Sequence, residues 1–271
     1  MNEHISQSDI KQELLARKEV LLSGVPTVIK IGGSIAVEAD TTLRDIAFLH
    51  REIGIPLVIV HGGSPEINKA LEAKGVKTQK VDGLRVTDSE TLKVVVDVLN
   101  GINAQMVESL QNLGVNSVGY DSKSGFLEGV IGDPRLGYVG AVSFVDRESL
   151  RSHNAQGIVP VIAPIALMQG KPAQFLNING DTAAGAIAAS LRSHLVLATD
   201  VSGVLVNGIT LPQVNSEQYR QMYEEGIVTS GMIPKLQAGL QAVHSSGKAI
   251  ICQGRDLLYA FGENPRGTVI V

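Results

Sequence analysis

The sequence predicts an α/β fold with a mainly parallel sheet covered by helices on both faces. Three observations predict it. Short apolar runs alternate with stretches of helical periodicity along most of the chain. Two of those runs, residues 28–31 and 57–60, are apolar without alternation, as strands buried on both faces are, apart from one embedded lysine, Lys30. Each run ends in Gly-Gly-Ser before a helical pattern, at Gly32-Gly33-Ser34 and Gly62-Gly63-Ser64. Glycine lets the chain turn sharply and lets a ligand approach the backbone, and a following helix N-terminus favours an anion. The starting expectation is a site that grips phosphate between two glycine corners. A chain of 271 residues, 44% apolar and 18% charged, supports a sizeable core in one large domain or two lobes sharing a sheet.

Taken in order, Ile10, Leu14, Leu15, Ala16, Leu21 and Leu22 fall near helical spacing, so residues 1–25 read as a helical extension ahead of the sheet. It is either a packed leading helix or an arm for another subunit. Strand one covers 27–31, with Pro26 at its start, where a missing N–H is tolerated. A helix follows over 41–53 and closes at Gly54. Strand two covers 57–60. Ser64-Pro65 reads as N-cap and first helical residue of the next helix, which ends at Gly75. Thr87-Asp-Ser-Glu90 fits a capping box for a long helix ending at Gly114; whether Gly101 breaks it is open. Residues 115–120 read as a strand and 121–145 as a hairpin flap.

Asp146 opens a short helix ending at Gly157, and 158–163 is a strand that Pro160 and Pro164 place near a sheet margin. Residues 174–179 read as a short strand or an extended loop. The small-residue helix 182–191 is expected to be sandwiched. A buried strand, 195–198, precedes a hairpin at Asn207-Gly208, a type I′ signal. Helices near 216–225 and 232–245, a strand at 249–252, a short helix near 256–261 and a strand at 268–271 complete the chain. Ligands of parallel sheets bind beyond the strands' carboxyl ends, so both glycine corners, 177–181 and 199–203 should share one rim.

Bulk properties exclude several classes. Net charge is −4 without a basic block, and aromatics are 4% with no Trp, which argues against nucleic acid as a partner. One cysteine, Cys252, rules out an intramolecular disulfide and reads as a buried inert thiol. No run reaches the ~20 apolar residues of a membrane span, and residues 1–25 lack a secretory pattern, so a cytoplasmic location is expected. The Gly-Lys pairs at 170–171 and 247–248 are followed by Pro and Ala, so no P-loop is present, and neither GxGxxG nor GxSxG occurs. The histidines show no metal-ligand spacing, and no protein-built metal site is expected.

What remains on the rim is lysine, glycine and one aspartate. Phosphoryl transfer needs mainly positioning and charge neutralisation. Lys30 and Lys235 are placed to flank a moving phosphoryl, Asp181 to align them, and Arg85 to fork onto a carboxylate. Singly these signals are weak: a lysine after a strand also suits a solvated end, and Asp181 also suits a helix cap.

The ordered set of motifs resembles the amino-acid kinase family, and within it the N-acetylglutamate branch. The matching stretches are Lys30-Ile-Gly-Gly33, Val60-His-Gly-Gly-Ser64, Gly83-Leu-Arg-Val-Thr-Asp88, Asn177-Ile-Asn-Gly-Asp181, Asp200-Val-Ser-Gly-Val204, Gly231-Met-Ile-Pro-Lys235 and Gly267-Thr-Val-Ile270. The resemblance implies a three-layer αβα sandwich, with a lobe over 26–194 for the acid and phosphoryl transfer and a lobe over 195–271 for nucleotide. It implies Lys30, Lys235 and Asp181 as catalytic and Gly62, Gly63, Ser64, Arg85 and Asn177 as substrate-binding. It implies nucleotide contacts at Gly32, Gly33, Asp200, Val201, Ser202, Gly203, Val204, Leu205, Ile227, Val228 and Thr229. The implied reaction is phosphorylation by ATP of the side-chain carboxylate of N-acetyl-L-glutamate in arginine biosynthesis, with Mg2+ carried by the nucleotide. A homodimer is the implied assembly, with a hexamer built through residues 9–22 as the alternative. Three stretches depart from the family pattern: Ser64 stands for its third glycine, Gly180 for its alanine, and residues 119–125 lack its usual run. They bear on the acceptor more than on the chemistry. Two other readings keep the fold: an aminoadipate-type kinase of lysine biosynthesis acting on a carrier-bound acid, and a non-catalytic amino-acid or nucleotide sensor.

Overall fold

In the computed structural model, the residues described are 6–22, 24–32, 40–81, 83–228, 231–245 and 247–271. Helices are α1 (Gln7–Ala16), α2 (Lys18–Leu21), α3 (Asp40–Phe48), α4 (Ser64–Ala73), α5 (Ser89–Asn112), α6 (Arg147–Ala155), α7 (Gly180–Leu191), α8 (Ser216–Glu224) and α9 (Ile233–His244). Strands in the central sheet are β1 (Thr27–Ile31), β2 (Leu57–His61), β5 (Ser117–Tyr120), β8 (Val159–Ile162), β11 (His194–Thr199), β14 (Gln213–Val214), β15 (Ala249–Gln253) and β16 (Thr268–Ile270). Their order is β14-β16-β15-β11-β1-β2-β8-β5, parallel throughout except for the antiparallel pair β15–β16.

The strands' alternation divides the core between two faces. Val28, Val58, Val60, Leu195 and Leu197 pack against Ala183, Ala184 and Ile187 of α7 and Leu236 and Leu240 of α9. Ile29, Ile31, Leu57 and Ile59 pack on the other face with Ile46 and Leu49, Met106 and Leu110 of α5, and Ile10 and Leu14 of α1. Helices therefore cover both faces, as a parallel sheet requires. Lys30 is two residues from Val28, so it points to the α7/α9 face.

Below the main sheet, β6 (Leu127–Ile131), β7 (Val139–Val145), β9 (Ile165–Met168) and β10 (Lys171–Ile178) close into a small barrel. The expected flap is thus the β6–β7 hairpin of that barrel, and of residues 174–179 all but Asn179 are strand, within β10. Two hairpins, β3 (Lys80–Val81) with β4 (Leu84–Arg85) and β12 (Leu205–Val206) with β13 (Ile209–Thr210), flank the rim. Asn207 and Gly208 both have positive φ, 51° and 78°, as a type I′ turn needs.

Several local expectations need correction. Ser64 does not cap α4: Gly63 holds the N-cap position, and Ser64 is already helical. Pro65 satisfies its expected place early in the helix, so the start is set by backbone rather than a hydroxyl. Thr87 is not the cap of α5; Asp88 is, accepting from the Thr91 N–H at 2.7 Å. The Thr87 hydroxyl is turned back onto the Arg85 carbonyl, and the Asp88 carboxylate reaches the N3 amide instead. Gly101 does not interrupt α5, which runs for 24 residues. Pro160 sits in β8 beside an edge strand, one residue before the β2 ladder begins at Ile59↔Val161; Asn154 donates to the Leu57 carbonyl there, at 2.9 Å.

Candidate active site

Three elements meet at the carboxyl ends of β1, β2 and β11. Gly62 N–H donates to the Ile31 carbonyl and Gly32 N–H to the Ala198 carbonyl, so the chain leaves β1 and β2 side by side. Opposite them, α7 starts at Gly180, with Asn179 as its cap; the Asn179 side chain accepts from the Asp181 and Thr182 amides at 2.9 and 3.1 Å. Asp181 is therefore in the first turn and not the cap. Gly180 faces the glycine corner closely: a Cβ there would lie 3.3 Å from Lys30 Cε and 3.4 Å from the His61 carbonyl oxygen.

Helix α9 reaches the same spot because it crosses α7 at contact distance. A Cβ on Gly185 would meet Ala238 Cα at 2.8 Å. Asp181 lies one turn before that crossing on α7, and Lys235 one turn before it on α9. The two charges are thereby brought together. Lys235 Nζ donates to Asp181 Oδ2 at 2.8 Å, and Lys30 Nζ lies 2.9 Å from Oδ1 as an ion pair off the hydrogen-bonding direction. The lysine side chains are 9% and 14% exposed and the carboxylate 5%, so solvent screens the triad little. Burial opposes the charge on Asp181, but Lys30 and then Lys235 outweigh it and hold the carboxyl below its ordinary value. Two ammonium groups against one carboxylate leave a buried excess of one positive charge. An anion arriving here gains from that excess.

On one side of the triad is a pocket lined by Gly62, Gly63, Ser64, Arg85, Asn177 and Gly180. Arg85 is 8% exposed; its Nη2 donates to Asn68 Oδ1 at 2.6 Å and contacts the Ser64 carbonyl at 3.4 Å, and its Nη1 is buried with no partner among the described residues. Burial lowers the Arg85 pKa, a cost that a bound carboxylate would offset. Asn177 donates to Thr87 Oγ1 at 3.1 Å, and Thr87 to the Arg85 carbonyl at 3.0 Å, which ties the two expected substrate residues together.

On the other side lies a cavity of about 310 Å³ lined by Asp200, Val201, Gly203, Val204, Leu205, Ile227, Val228 and Lys235. Ser202 is not among its walls; its hydroxyl pairs with Thr210. Gly32, the residue after β1, does not line it either. Gly33 and Thr229 lie outside the described residues. A larger surface groove, about 620 Å³ beside Phe144 and Ala186, is remote in character, since none of the triad lines it.

His61 is a site residue that the motif reading passed over. It is fully buried, and burial pushes its pKa down to about 4, so the ring is neutral. Its histidine-then-glycine setting at a strand end was the available signal. Cys252 is buried, with its thiol pushed up to about 12 by burial, in keeping with an inert core role.

The amino acid kinase family model matches residues 26–253. The acetylglutamate kinase of Cereibacter sphaeroides is 38% identical over 92% of this chain and 88% of its own length. That of Geobacillus stearothermophilus is 38% identical over 88% of this chain and 94% of its own length. Among solved structures, smu.665 from Streptococcus mutans superposes with a TM-score of 0.80 at 30% identity, over 90% of this chain and 98% of that one.

Proposed function

Because the chain belongs to the amino acid kinase family, we propose that the triad transfers the terminal phosphoryl of ATP to the side-chain carboxylate of N-acetyl-L-glutamate, a reaction of arginine biosynthesis. The observation that carries this reading is the shared carboxylate: Asp181 holds Lys30 from β1 and Lys235 from α9 between an acid pocket and a nucleotide-sized cavity.

Arg85 Nη1, the unpaired donor, takes the substrate's fixed carboxylate, and Asn177 sits beside it. The acceptor carboxylate then faces the triad across the glycine corner. One of its oxygens forms a bond to the γ-phosphorus while the bond to the bridging oxygen breaks; ADP leaves with that electron pair. No proton moves, so no general base is needed. Lys30 on the acid side and Lys235 on the nucleotide side neutralise the charge as it spreads over the phosphoryl oxygens and the leaving group. Asp181 fixes their separation in advance, so little reorganisation is needed at the transition state. The lining of the 310 Å³ cavity suits a nucleotide: Asp200 for polar contact, and Val201, Val204, Leu205, Ile227 and Val228 for an apolar base. Mg2+, carried by the phosphates of the nucleotide, would neutralise part of their charge.

On this reading 26–194 is the acid lobe and 195–271 the nucleotide lobe, joined by the continuous sheet, and the working unit is a cytoplasmic homodimer. Among the described residues no helix is long and apolar enough to cross a membrane. The test is ATP turnover with free N-acetylglutamate. Turnover restricted to a carrier-bound acid would favour the aminoadipate type, and nucleotide binding without turnover a sensor.

A further inference from the structure

The Gly62–Gly63 corner is held from behind by a chain of buried polar groups. His61 Nδ1 lies 2.9 Å from the Gly62 carbonyl oxygen. Its Nε2 lies 3.3 Å from Asn103 Nδ2 on α5, and the same Asn103 nitrogen is 2.9 Å from the Val161 carbonyl. His61 and Asn103 are 0% and 2% exposed, so water does not complete these contacts.

The partners assign the hydrogens. Val161 offers only a lone pair, so the Asn103 atom facing it is the NH2 group. That group also faces Nε2, which must therefore accept. The ring proton then sits on Nδ1 and is donated to the Gly62 carbonyl. Gly119 closes the far side: a Cβ there would lie 2.3 Å from Asn103 Oδ1, so β5 leaves room for this amide only as glycine.

The consequence lies on the opposite side of the peptide. A trans peptide is planar, with its C=O and N–H pointing in opposite directions. Fastening the Gly62 carbonyl toward His61 turns the Gly63 N–H away from α5 and toward the cleft. The position also needs glycine, since a Cβ on Gly63 would strike Leu99 and Ile102 of α5 at 2.8 Å. That N–H has no acceptor among the described residues, and Gly63 lines the acid pocket.

We propose that His61, held in its Nδ1–H form by Asn103, is a positioning residue that locks the Gly62–Gly63 peptide with its N–H aimed at the phosphoryl in transfer. It touches neither substrate; it acts through one peptide plane. The inference rests on the kinase reading of the site. A neutral ring suits this role, because its donor is unchanged across the pH range in which such enzymes work.

Two measurements test it. The first is a two-bond nitrogen–proton correlation spectrum of the histidine rings in the intact wild-type protein, with His61 assigned by its loss in His61→Asn. We expect the Nδ1–H tautomer, unchanged from pH 8 to pH 5.5. An Nε2–H tautomer or an imidazolium in that range would overturn the inference, whatever any variant does. The second compares His61→Asn, whose amide nitrogen replaces Nδ1, with His61→Gln, whose amide nitrogen replaces Nε2. His61→Gln should lose ~10²-fold in kcat with KM for both substrates within about threefold, while His61→Asn should recover at least about tenfold of that loss. Equal kcat in the two variants, or a loss confined to KM, would overturn the inference. Wild-type protein without phosphoryl transfer would instead overturn the kinase reading, and the tautomer would stand apart from that result.

Discussion

Lys30 and Lys235 share one carboxylate, so neither can follow an anion far without giving up Asp181. Their charge is most useful while the phosphoryl is between partners, which separates transition-state from ground-state effects. Lys235→Ala is expected to lower kcat by ~10²–10³-fold with KM for the acid changed little; steady-state kinetics at saturating nucleotide would show this. Arg85→Lys should act the other way, raising KM for the acid about tenfold or more at nearly constant kcat, because a point charge cannot replace the buried fork. Two buried aspartates should show opposite pH behaviour. Asp181 has a lowered pKa, so it stabilises the fold above the ordinary carboxylate value of 3.8, and that contribution is lost as pH falls through its lower folded value. Asp181→Asn should therefore be less stable than wild type at pH 7, with the gap closing in acid. Asp45 is raised to about 6, first by burial, with Lys11 opposing. Folding prefers it protonated, so wild type loses stability as pH rises from about 4 through about 6. Asp45→Asn should be more stable by ~1–2 kcal/mol at pH 7.5 and equal to wild type near pH 4. Urea melts of both variants across pH would check each sign.

At the scale of elements, the crossing of α7 and α9 sets the triad, and both helices can be perturbed away from the charges. Asn179→Ala removes a cap that holds the Asp181 and Thr182 amides. It should cost ~1 kcal/mol in stability and, because Asp181 loses its orientation, more in kcat than that loss implies. Thermal melts paired with kinetics on the same preparation separate the two. These elements were legible in the sequence to differing degrees. Strand β1 matches its expected bounds because a mostly β-branched run, broken only by Lys30, lies between Pro26 and Gly32 and admits little else. The small-residue helix announced its close packing through Gly185 and its alanines. Caps were read less well: Ser64 and Thr87 are good capping residues by type, yet Gly63 and Asp88 hold those positions, since a few degrees of backbone decide which residue reaches the free amides. The barrel was legible only as a hairpin, because β6–β9 and β7–β10 pair across stretches that no local periodicity reports. His61 and Asn103 were missed for the same reason: 42 positions separate them.

For the whole molecule, the sheet gathers motifs from across the chain onto one rim, and this was legible because parallel topology fixes where strand ends lie. How the leading segment is used was not. In the structure its apolar face is committed to its own subunit: Ile10 and Leu14 are 2% and 0% exposed, and Glu13 accepts from the Glu263 amide at 2.8 Å. Leu15, Val20 and Leu22 remain exposed. A chain lacking residues 1–24 should therefore melt well below wild type, having lost two buried side chains that each contribute on the order of 2–4 kcal/mol. The number of subunits per particle, from light scattering, should match that of the full chain; fewer subunits would assign the segment to assembly. At every scale the fold serves one reaction at one triad. The most direct measurement is to incubate the full-length protein with ATP, Mg2+ and N-acetylglutamate and to trap the product with hydroxylamine. A hydroxamate should form in step with ADP, be abolished by Lys235→Ala and be absent with glutamate or aspartate. ADP-linked hydroxamate from no free acid, or equal yield from the Lys235→Ala protein, would contradict this assignment.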